Sequence, residues 1–249
     1  MKRISIPLAL VALGTAHAAC AAGNEEGRWS ASFRVGAELI PHGTFQHGAS
    51  AQGPGGTVEL DSLTYDDIFR VGPSADLELG YRVLSNLEPF VRVSYAQMRG
   101  ENARIGDVHP TVGSPTVIRA NFDDMESWQI DLGTRLFFVD SGPLQSYVAA
   151  YVGADRAEEL NAHVRVNGLL TPSSRETLLP RETRFAAGVE LGVSYEITDA
   201  AAISLSVGAN FRNARHESTH AYDALGIDTV RVTDQEWTLP IDLGVTWRF

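Results

Sequence analysis

Apolar and polar side chains alternate along the C-terminal segment of the chain. Apolar residues stand at every odd position from Trp237 to Phe249, and polar or very small residues stand at most of the even positions between them. A period of two is typical of a strand whose two faces meet different surroundings. The pattern recurs and predicts eight strands, which run from Trp29 to Leu39, Phe69 to Val83, Leu87 to Tyr95, Trp128 to Phe138, Leu144 to Ala154, Phe185 to Ile197, Ile203 to Phe211 and Trp237 to Phe249.

The connections between these segments alternate in length. Short turns are expected at 84–86, 140–143 and 198–200, and long loops at 40–64, 100–126, 155–184 and 213–235. This predicts an all-β fold, a transmembrane antiparallel up-and-down β-barrel with four long extracellular loops and three short periplasmic turns. Eight strands are expected, with a ten-stranded barrel as the alternative if 155–184 adds a hairpin. Within the loops, Ser50–Gly56 is expected to be flexible, whereas Thr116–Ile118 and Val164–Val166 are expected to extend strands above the bilayer.

Aromatic spacing favours a membrane barrel over a soluble lipocalin-like barrel or sandwich. In three strands, two aromatic residues lie ten positions apart on one face, as do Trp128 and Phe138. Ten tilted strand residues rise about 25 Å, which is the height of the apolar band between two aromatic girdles. The predicted girdle residues are Trp29, Tyr81, Tyr95, Trp128, Phe138, Phe185, Tyr195, Phe211, Trp237 and Trp247.

Composition and charge argue against several classes of protein. The formal net charge is −11, which argues against a nucleic-acid partner, and a single cysteine cannot form an internal disulfide. Lys2 and Arg3 precede an apolar stretch from Ile6 to Leu13 and a run of small residues, a pattern typical of a secretory signal peptide. We therefore expect residues 1–21 to be a cleaved signal and 22–249 to be the barrel domain. The exact cleavage site and the fate of Cys20 stay open.

The chain resembles the eight-stranded outer-membrane barrels of Gram-negative bacteria, the group that includes the OmpA transmembrane domain, OmpX and Ail, and the opacity-type surface proteins. The resemblance rests on the strand and loop plan and on the ending Val245-Thr246-Trp247-Arg248-Phe249. This ending, a terminal Phe preceded by alternating apolar residues, is similar to the signal that the outer-membrane assembly machinery recognises in that group. The resemblance implies that Trp247 and Phe249 form this signal and that the protein lies in the bacterial outer membrane. It does not imply an activity.

The polar face of the predicted strands should line the lumen. An eight-stranded barrel is just wide enough to be filled by side chains, and buried charges must pair. Tyr147 and Tyr151 are amphipathic and could face either way. A salt-bridged, filled lumen is favoured, and a narrow ion path through the same charges is the alternative. The predicted network comprises Arg34, Glu38, Asp76, Glu78, Arg92, Asp131, Arg135, Glu190 and Asp242, and the lumen should also receive Arg70, Arg82 and Arg248.

One motif raises the question of an enzyme. His216-Glu217-Ser218-Thr219-His220 matches the H-E-x-x-H pattern that holds zinc on a helix. The segment follows a strand and has no helical periodicity, so a chance match in a loop is favoured. All six histidines outside the signal lie in the long loops, namely His42, His47, His109, His163, His216 and His220. We expect no catalytic residues, no metal and no cofactor.

Three functions remain for such a barrel. The first is a structural, adhesin-like scaffold that displays its loops for surface contact, with outer-membrane lipids, lipopolysaccharide, the assembly machinery and a host or cell-surface ligand as expected partners. The second is a small, porin-like passive channel. The third, more remote, is an envelope enzyme with a loop-borne site. Four loop arginines could contact lipopolysaccharide phosphates, namely Arg104, Arg175, Arg181 and Arg184.

Overall fold

The computed structural model describes residues 27–53, 55–166, 174–214 and 236–249. The expected signal peptide and the H-E-x-x-H segment lie outside these residues. The described secondary structure is β apart from one helical turn, α1 (Tyr65–Ile68). In chain order the strands are β1 (Arg28–His42), β2 (Thr44–Gln46), β3 (Ala49–Gly53), β4 (Gly56–Leu60), β5 (Leu63–Thr64), β6 (Phe69–Arg70), β7 (Gly72–Arg82), β8 (Leu87–Gly100), β9 (Asn102–Pro110), β10 (Thr116–Phe122), β11 (Met125–Ser141), β12 (Leu144–Ala157), β13 (Leu160–Val166), β14 (Ser174–Leu179), β15 (Glu182–Thr198), β16 (Ala201–Arg212) and β17 (Glu236–Arg248).

Eight long strands form a closed antiparallel barrel. They are β1, β7, β8, β11, β12, β15, β16 and β17, and each pairs with two neighbours in the wall. The pairing of β17 with β1, with Leu239 opposite Leu39, joins the last wall strand to the first. The pairing of β8 with β11, with Tyr95 opposite Trp128, completes the ring. The predicted eight-stranded barrel is therefore confirmed.

The ten-stranded alternative is wrong, although an extra hairpin does form between β12 and β15. Its strands, β13 and β14, pair with each other, and β13 also pairs with β10 rather than with the wall. Strands β12 and β15 pair directly along their length, from Leu144 opposite Tyr195 to Ala157 opposite Glu182. The wall therefore has no gap that the hairpin could fill.

The outer surface of the wall is apolar along every strand. An outward side chain from each wall strand is between 39% and 63% exposed, as seen for Phe33, Leu79, Val93, Leu132, Val152, Val189, Leu205 and Leu243. Soluble proteins rarely expose a continuous apolar surface of this size to water, and the surface matches the hydrocarbon band of a bilayer. Among the described residues, no helix is long and apolar enough to cross a membrane.

The described parts of the first three long loops form a second folded unit, which we call the cap (residues 43–71, 101–124 and 158–181). Its main element is a six-stranded sheet in the order β14-β13-β10-β9-β4-β3, accompanied by the small β2–β5 pair and α1. Its buried core contains Phe45, Leu60, Leu63, Tyr65, Ile68, Phe69, Ala103, Ile105, Ile118, Ala120, Phe122, Leu160, Ala162, Val164, Leu178 and Leu179. The strands predicted at Thr116–Ile118 and Val164–Val166 are part of this sheet.

The expectation that Ser50–Gly56 is flexible is wrong for the residues of this segment that lie in β3 and β4. Strands β3 and β4 form a hairpin in which Ala49 lies opposite Leu60 and Gly53 opposite Gly56. The segment is ordered because Ala49, Ala51 and Val58 pack against the cap core. Gly56 has φ +142°, and a Cβ there would lie 2.2 Å from the carbonyl oxygen of His109. The glycines that suggest flexibility in the sequence thus permit a tight turn and a close strand contact.

Candidate functional site: lumen and cap

The middle of the lumen holds a compact network of ion pairs. Glu78 contacts Arg135 at 2.7 Å, Arg92 at 3.0 Å and Arg34 at 3.4 Å. Glu190 contacts Arg34 at 2.7 Å and Arg92 at 2.8 Å. These five side chains come from five wall strands and are all buried. Because each carboxylate meets more than one guanidinium, the network bridges the lumen in several directions and offsets the desolvation cost of its charges.

Further charges surround this centre. Asp76 contacts Arg34 at 3.2 Å. Glu88 lies 2.9 Å from Arg135 and 3.5 Å from Arg82, toward the short turns. The sequence analysis did not assign Glu88 to the lumen, although Glu88 lies inside the predicted strand from Leu87 to Tyr95, on the same face as Arg92. Arg248 contacts Glu196 near the same end of the barrel.

Two lumen tyrosines are positioned by glycines on the next strand. Tyr147 lies opposite Gly192 and Tyr151 opposite Gly188 across the β12–β15 pair. A Cβ would lie 2.3 Å from the Tyr147 ring at Gly192 and 2.4 Å from the Tyr151 ring at Gly188. Both rings therefore turn inward, and the Tyr147 hydroxyl donates a hydrogen bond of 2.9 Å to Glu190. The glycines are visible in the sequence, but their register opposite the tyrosines is not.

A second network fills the extracellular half of the lumen. Arg212 contacts Glu38 at 2.7 Å and Glu236 at 3.0 Å. Arg184 contacts Asp155 at 2.6 Å and Glu236 at 2.7 Å. Of these five, sequence reasoning assigned only Glu38 to the lumen. Arg184, expected to contact lipopolysaccharide from a loop, is buried here because β15 begins at Glu182 and carries the residue inside the wall.

The space beside the networks includes small cavities. A cavity of about 40 Å³ in the extracellular half is lined by residues including Asp76, Asp131 and Asp242. Asp131 accepts hydrogen bonds from Gln129 at 2.9 and 3.0 Å, and Asp242 accepts one from Ser74 at 3.2 Å. Another cavity of about 20 Å³ lies toward the periplasmic end, and Arg34 and Arg135 are among its lining residues. Volumes of this size hold a few water molecules at most.

All nine residues of the predicted lumen network are buried inside the barrel. Arg82 is also inside, whereas the expectation for Arg70 is wrong. Arg70 is largely exposed and contacts Glu101 in the cap. The alternation changes phase at Val71, since Arg70 and Val71 are both exposed while Phe69 enters the cap core. The predicted strand from Phe69 to Val83 is accordingly divided into β6 and β7.

The ten aromatic residues of the predicted girdles fall into two groups. Trp29, Tyr81, Phe138, Tyr195 and Trp247 lie in the wall near the short turns, and Tyr95, Trp128, Phe185, Phe211 and Trp237 lie near the loops. Three pairs on neighbouring strands are in ring contact: Trp29–Tyr81 and Tyr95–Trp128, both with centroids 4.9 Å apart, and Phe211–Trp237 at 5.1 Å. Trp247 and Phe249 lie at the closing seam, where Phe249 exchanges two backbone hydrogen bonds with Trp29, of 2.9 and 3.0 Å.

The apolar core of the cap continues into the mouth of the barrel. Met98 on β8 and Met125 on β11 stand on the lumen side of the wall, above Arg92 and Asp131 on the same strands. Both methionines belong to the buried cluster that contains Phe45 and is otherwise formed by the cap. The lumen lining thus changes from charged to apolar toward the extracellular side. On these strands the cap covers the opening with packed side chains.

The described loop residues that were considered as catalytic or lipopolysaccharide-binding do not form one site. Within the part of the chain that the structure describes, no group of three or more His, Cys, Asp or Glu residues could hold a metal ion. His216 and His220 lie outside the described residues. Arg104 and Arg175 lie on the cap sheet and pair with Asp107 and Asp123, and Arg181 pairs with Glu158.

No protein-family model and no curated protein matches the sequence. Solved structures that are similar include Neisserial surface protein A, with 16% identity, coverage of 90% of this chain and 98% of that one, and a TM-score of 0.47. The outer membrane protein OprG from Pseudomonas aeruginosa has 15% identity, coverage of 91% and 98%, and a TM-score of 0.45. The outer membrane protease OmpT from Escherichia coli has 11% identity, coverage of 89% and 97%, and a TM-score of 0.45.

The class of protein is assigned from the structure of the barrel wall. Eight antiparallel strands close without a free edge, and the lipid-facing surface is apolar between two aromatic groups. In a bilayer only a closed barrel satisfies every backbone hydrogen bond of a β-sheet, and such barrels span the outer membranes of Gram-negative bacteria. The chain has the fold of an eight-stranded outer-membrane β-barrel protein.

Proposed function

We propose that the protein is a non-catalytic surface scaffold, in which a rigid, filled barrel anchors an extracellular cap that makes contacts outside the cell. The observation that carries this proposal is the cap. Its loops form a six-stranded sheet with an apolar core of its own. Ordering these loops costs conformational entropy, which the cap core offsets, and a folded surface binds a partner with less ordering cost than mobile loops would.

The filled lumen argues for a scaffold rather than a channel. The two ion-pair networks occupy the barrel at successive levels, and the small cavities beside them are lined in part by charged side chains. A solute would have to break several buried ion pairs to pass, each of which costs several kcal/mol when one partner is lost. Passive conduction of ions or small solutes is the alternative function, since the same charges would line any path.

Planar-bilayer recordings separate the two functions. Refolded wild-type protein should show no discrete conductance steps, because both the networks and the cap obstruct the lumen. A second chain, in which short turns replace residues 43–71, 101–124 and 158–181, should also be silent, because the networks reside in the wall. Reproducible openings of the wild-type protein would support the channel. Openings of the cap-less chain but not of the wild-type protein would show that the cap, and not the ion-pair networks, closes the lumen.

Adhesion tests the scaffold directly. Cells that display the wild-type protein should be retained on immobilised glycans or matrix proteins under flow, and cells with the cap-less chain should be lost. A control with replaced residues 84–86 alters only a short turn on the other side of the membrane and should adhere as the wild type does. Equal retention of wild-type and cap-less cells at equal surface amounts would contradict the proposal.

A further inference from the structure

The outer face of the cap sheet carries a row of arginines. Strands β9, β10 and β13 lie side by side, and their register places Arg119 opposite both Arg104 and Arg165. Ile118 and Ala120 on β10 enter the cap core, so Arg119 between them faces outward and is exposed. Like charges directly opposite on neighbouring strands repel each other. The sheet therefore holds an arrangement that is unfavourable without a negatively charged partner.

Nearby carboxylates form ion pairs only with the arginines at the two sides of this row. Arg104 contacts Asp107 and lies 3.6 Å from Asp61. On β14, Arg175 lies 3.4 Å from Asp123. Among the described residues, neither Arg119 nor Arg165 has a carboxylate within ion-pair distance. Within the described parts of the chain, the centre of the row thus keeps two positive charges without a carboxylate partner, although the chain as a whole has a net charge of −11.

These two arginines converge on a hollow in the sheet surface. The hollow measures about 400 Å³ and is lined by Asn102, Arg119, Asn121, His163 and Arg165, which we call the basic hollow. Every lining side chain can donate N–H hydrogen bonds, and none is a carboxylate or an apolar group. Guanidinium groups donate paired hydrogen bonds to sulfate and phosphate oxygens, and amide side chains suit sugar hydroxyls.

We propose that the basic hollow binds an extracellular polysaccharide that bears sulfate or phosphate esters. The inference rests on the proposed scaffold function and names its partner. Arg104, Arg119 and Arg165 span roughly 10 Å across three strands, so they can contact more than one ester group of a linear chain. The residues that line the hollow include no aliphatic or phenyl side chain to hold an acyl chain, and the hollow lies on the cap, away from the aromatic groups of the wall. A polymer in the surrounding medium therefore fits better than a lipid headgroup.

The test measures binding of a fluorescent, sulfated octasaccharide to the full mature chain in detergent micelles, with the desulfated octasaccharide as the ligand control. Arg119→Gln/Arg165→Gln should weaken binding roughly tenfold or more at low salt. Arg99→Gln/Arg156→Gln removes the same charge from exposed positions on β8 and β12 and should change affinity less than about twofold. Retained resistance of the folded barrel to SDS at room temperature verifies that each variant is folded.

Three results would overturn the proposal. They are no binding by the folded wild-type chain at low salt, equal loss in both double variants, and equal binding of the desulfated ligand. Binding only to lipopolysaccharide-containing vesicles would likewise reject a polysaccharide in favour of a lipid headgroup. If cap-less cells lose adhesion while Arg119→Gln/Arg165→Gln cells keep it, the scaffold function stands and the basic hollow is not its binding site.

Discussion

Arg34 donates a hydrogen bond of 2.7 Å to Glu190 across the lumen, although the two residues lie 156 positions apart in the chain. Their strands, β1 and β15, are not neighbours, since β16 and β17 lie between them in the wall. The contact therefore ties opposite parts of the barrel together through its interior. Glu190 also accepts from Arg92 and from Tyr147, so a single carboxylate satisfies three donors.

Removing this carboxylate should destabilise the barrel strongly. Glu190→Ala leaves Arg34 and Arg92 with fewer partners inside the lumen, and loss of one partner from a buried ion pair costs about 3–5 kcal/mol. The measurement is urea unfolding in lipid vesicles, followed by tryptophan fluorescence. Glu159→Ala at an exposed position is the control and should change stability by less than about 0.5 kcal/mol. Similar free energies of unfolding for the two variants would contradict the view that the ion-pair network stabilises the barrel.

Gly192 should resist enlargement because its space belongs to Tyr147. A Cβ at Gly192 would lie 2.3 Å from the Tyr147 ring, so Gly192→Val must displace the ring and disturb its hydrogen bond to Glu190. We expect a loss of about 1–3 kcal/mol or a failure to refold. Gly192→Val/Tyr147→Ala should refold better than Gly192→Val alone, since the obstructing ring is gone.

A control at a glycine with open space around it is available in the cap. A Cβ at Gly55 would meet no heavy atom within 4 Å, so Gly55→Ala should refold with wild-type yield. If Gly192→Val refolds as well as Gly55→Ala, the inward position of Tyr147 is not enforced by its glycine neighbour.

The cap should unfold without the barrel when its core is weakened. Phe45 is fully buried and packs edge-on against Tyr65, Phe69 and Phe122, with ring centroids 5.6, 6.0 and 5.7 Å apart. Phe45→Ala should cost the cap about 3–5 kcal/mol. Limited proteolysis should then cleave the cap quickly, while the heat-dependent gel mobility of the barrel stays unchanged. The control is Val112→Ala, a position that is 89% exposed. If Phe45→Ala abolished both the protease resistance of the cap and the heat-dependent gel mobility of the barrel, the cap and the barrel would unfold as one unit.

Acid should loosen the start of α1. The hydroxyl and the backbone N–H of Thr64 donate hydrogen bonds of 2.6 and 2.8 Å to Asp67, and these bonds hold the pKa of the Asp67 carboxyl below its usual value. A lowered pKa in the folded state stabilises the cap above the pKa of the unfolded chain. That contribution disappears as the pH falls through the folded-state pKa.

The pH effect can be isolated by substitution. Asp67→Asn should lower the resistance of the cap to protease at neutral pH and weaken its dependence on acidic pH, as followed with an acid-active protease. Asp66→Asn, on the same helical turn, should leave the wild-type dependence in place. Identical pH profiles for wild type and Asp67→Asn would reject the contribution of the Thr64–Asp67 pair.

The sequence by itself determined the wall. Lipid contacts every second residue of a membrane strand, so the alternation from Trp237 to Phe249 and its seven repeats identify strands and their outward faces without any knowledge of their partners. The interval between Trp128 and Phe138 set the height of the apolar band in the same way. Both signals are local, because they depend only on which side chains meet lipid.

Tertiary structure decided the interior and the cap. Whether Tyr147 turns inward depends on Gly192 lying opposite it, and whether Arg184 binds a lipid or Asp155 depends on where β15 enters the wall. The flexible appearance of Ser50–Gly56 gave no sign of the core against which it packs. These outcomes arise from register and from contacts between residues far apart in the chain, which alternation alone does not encode.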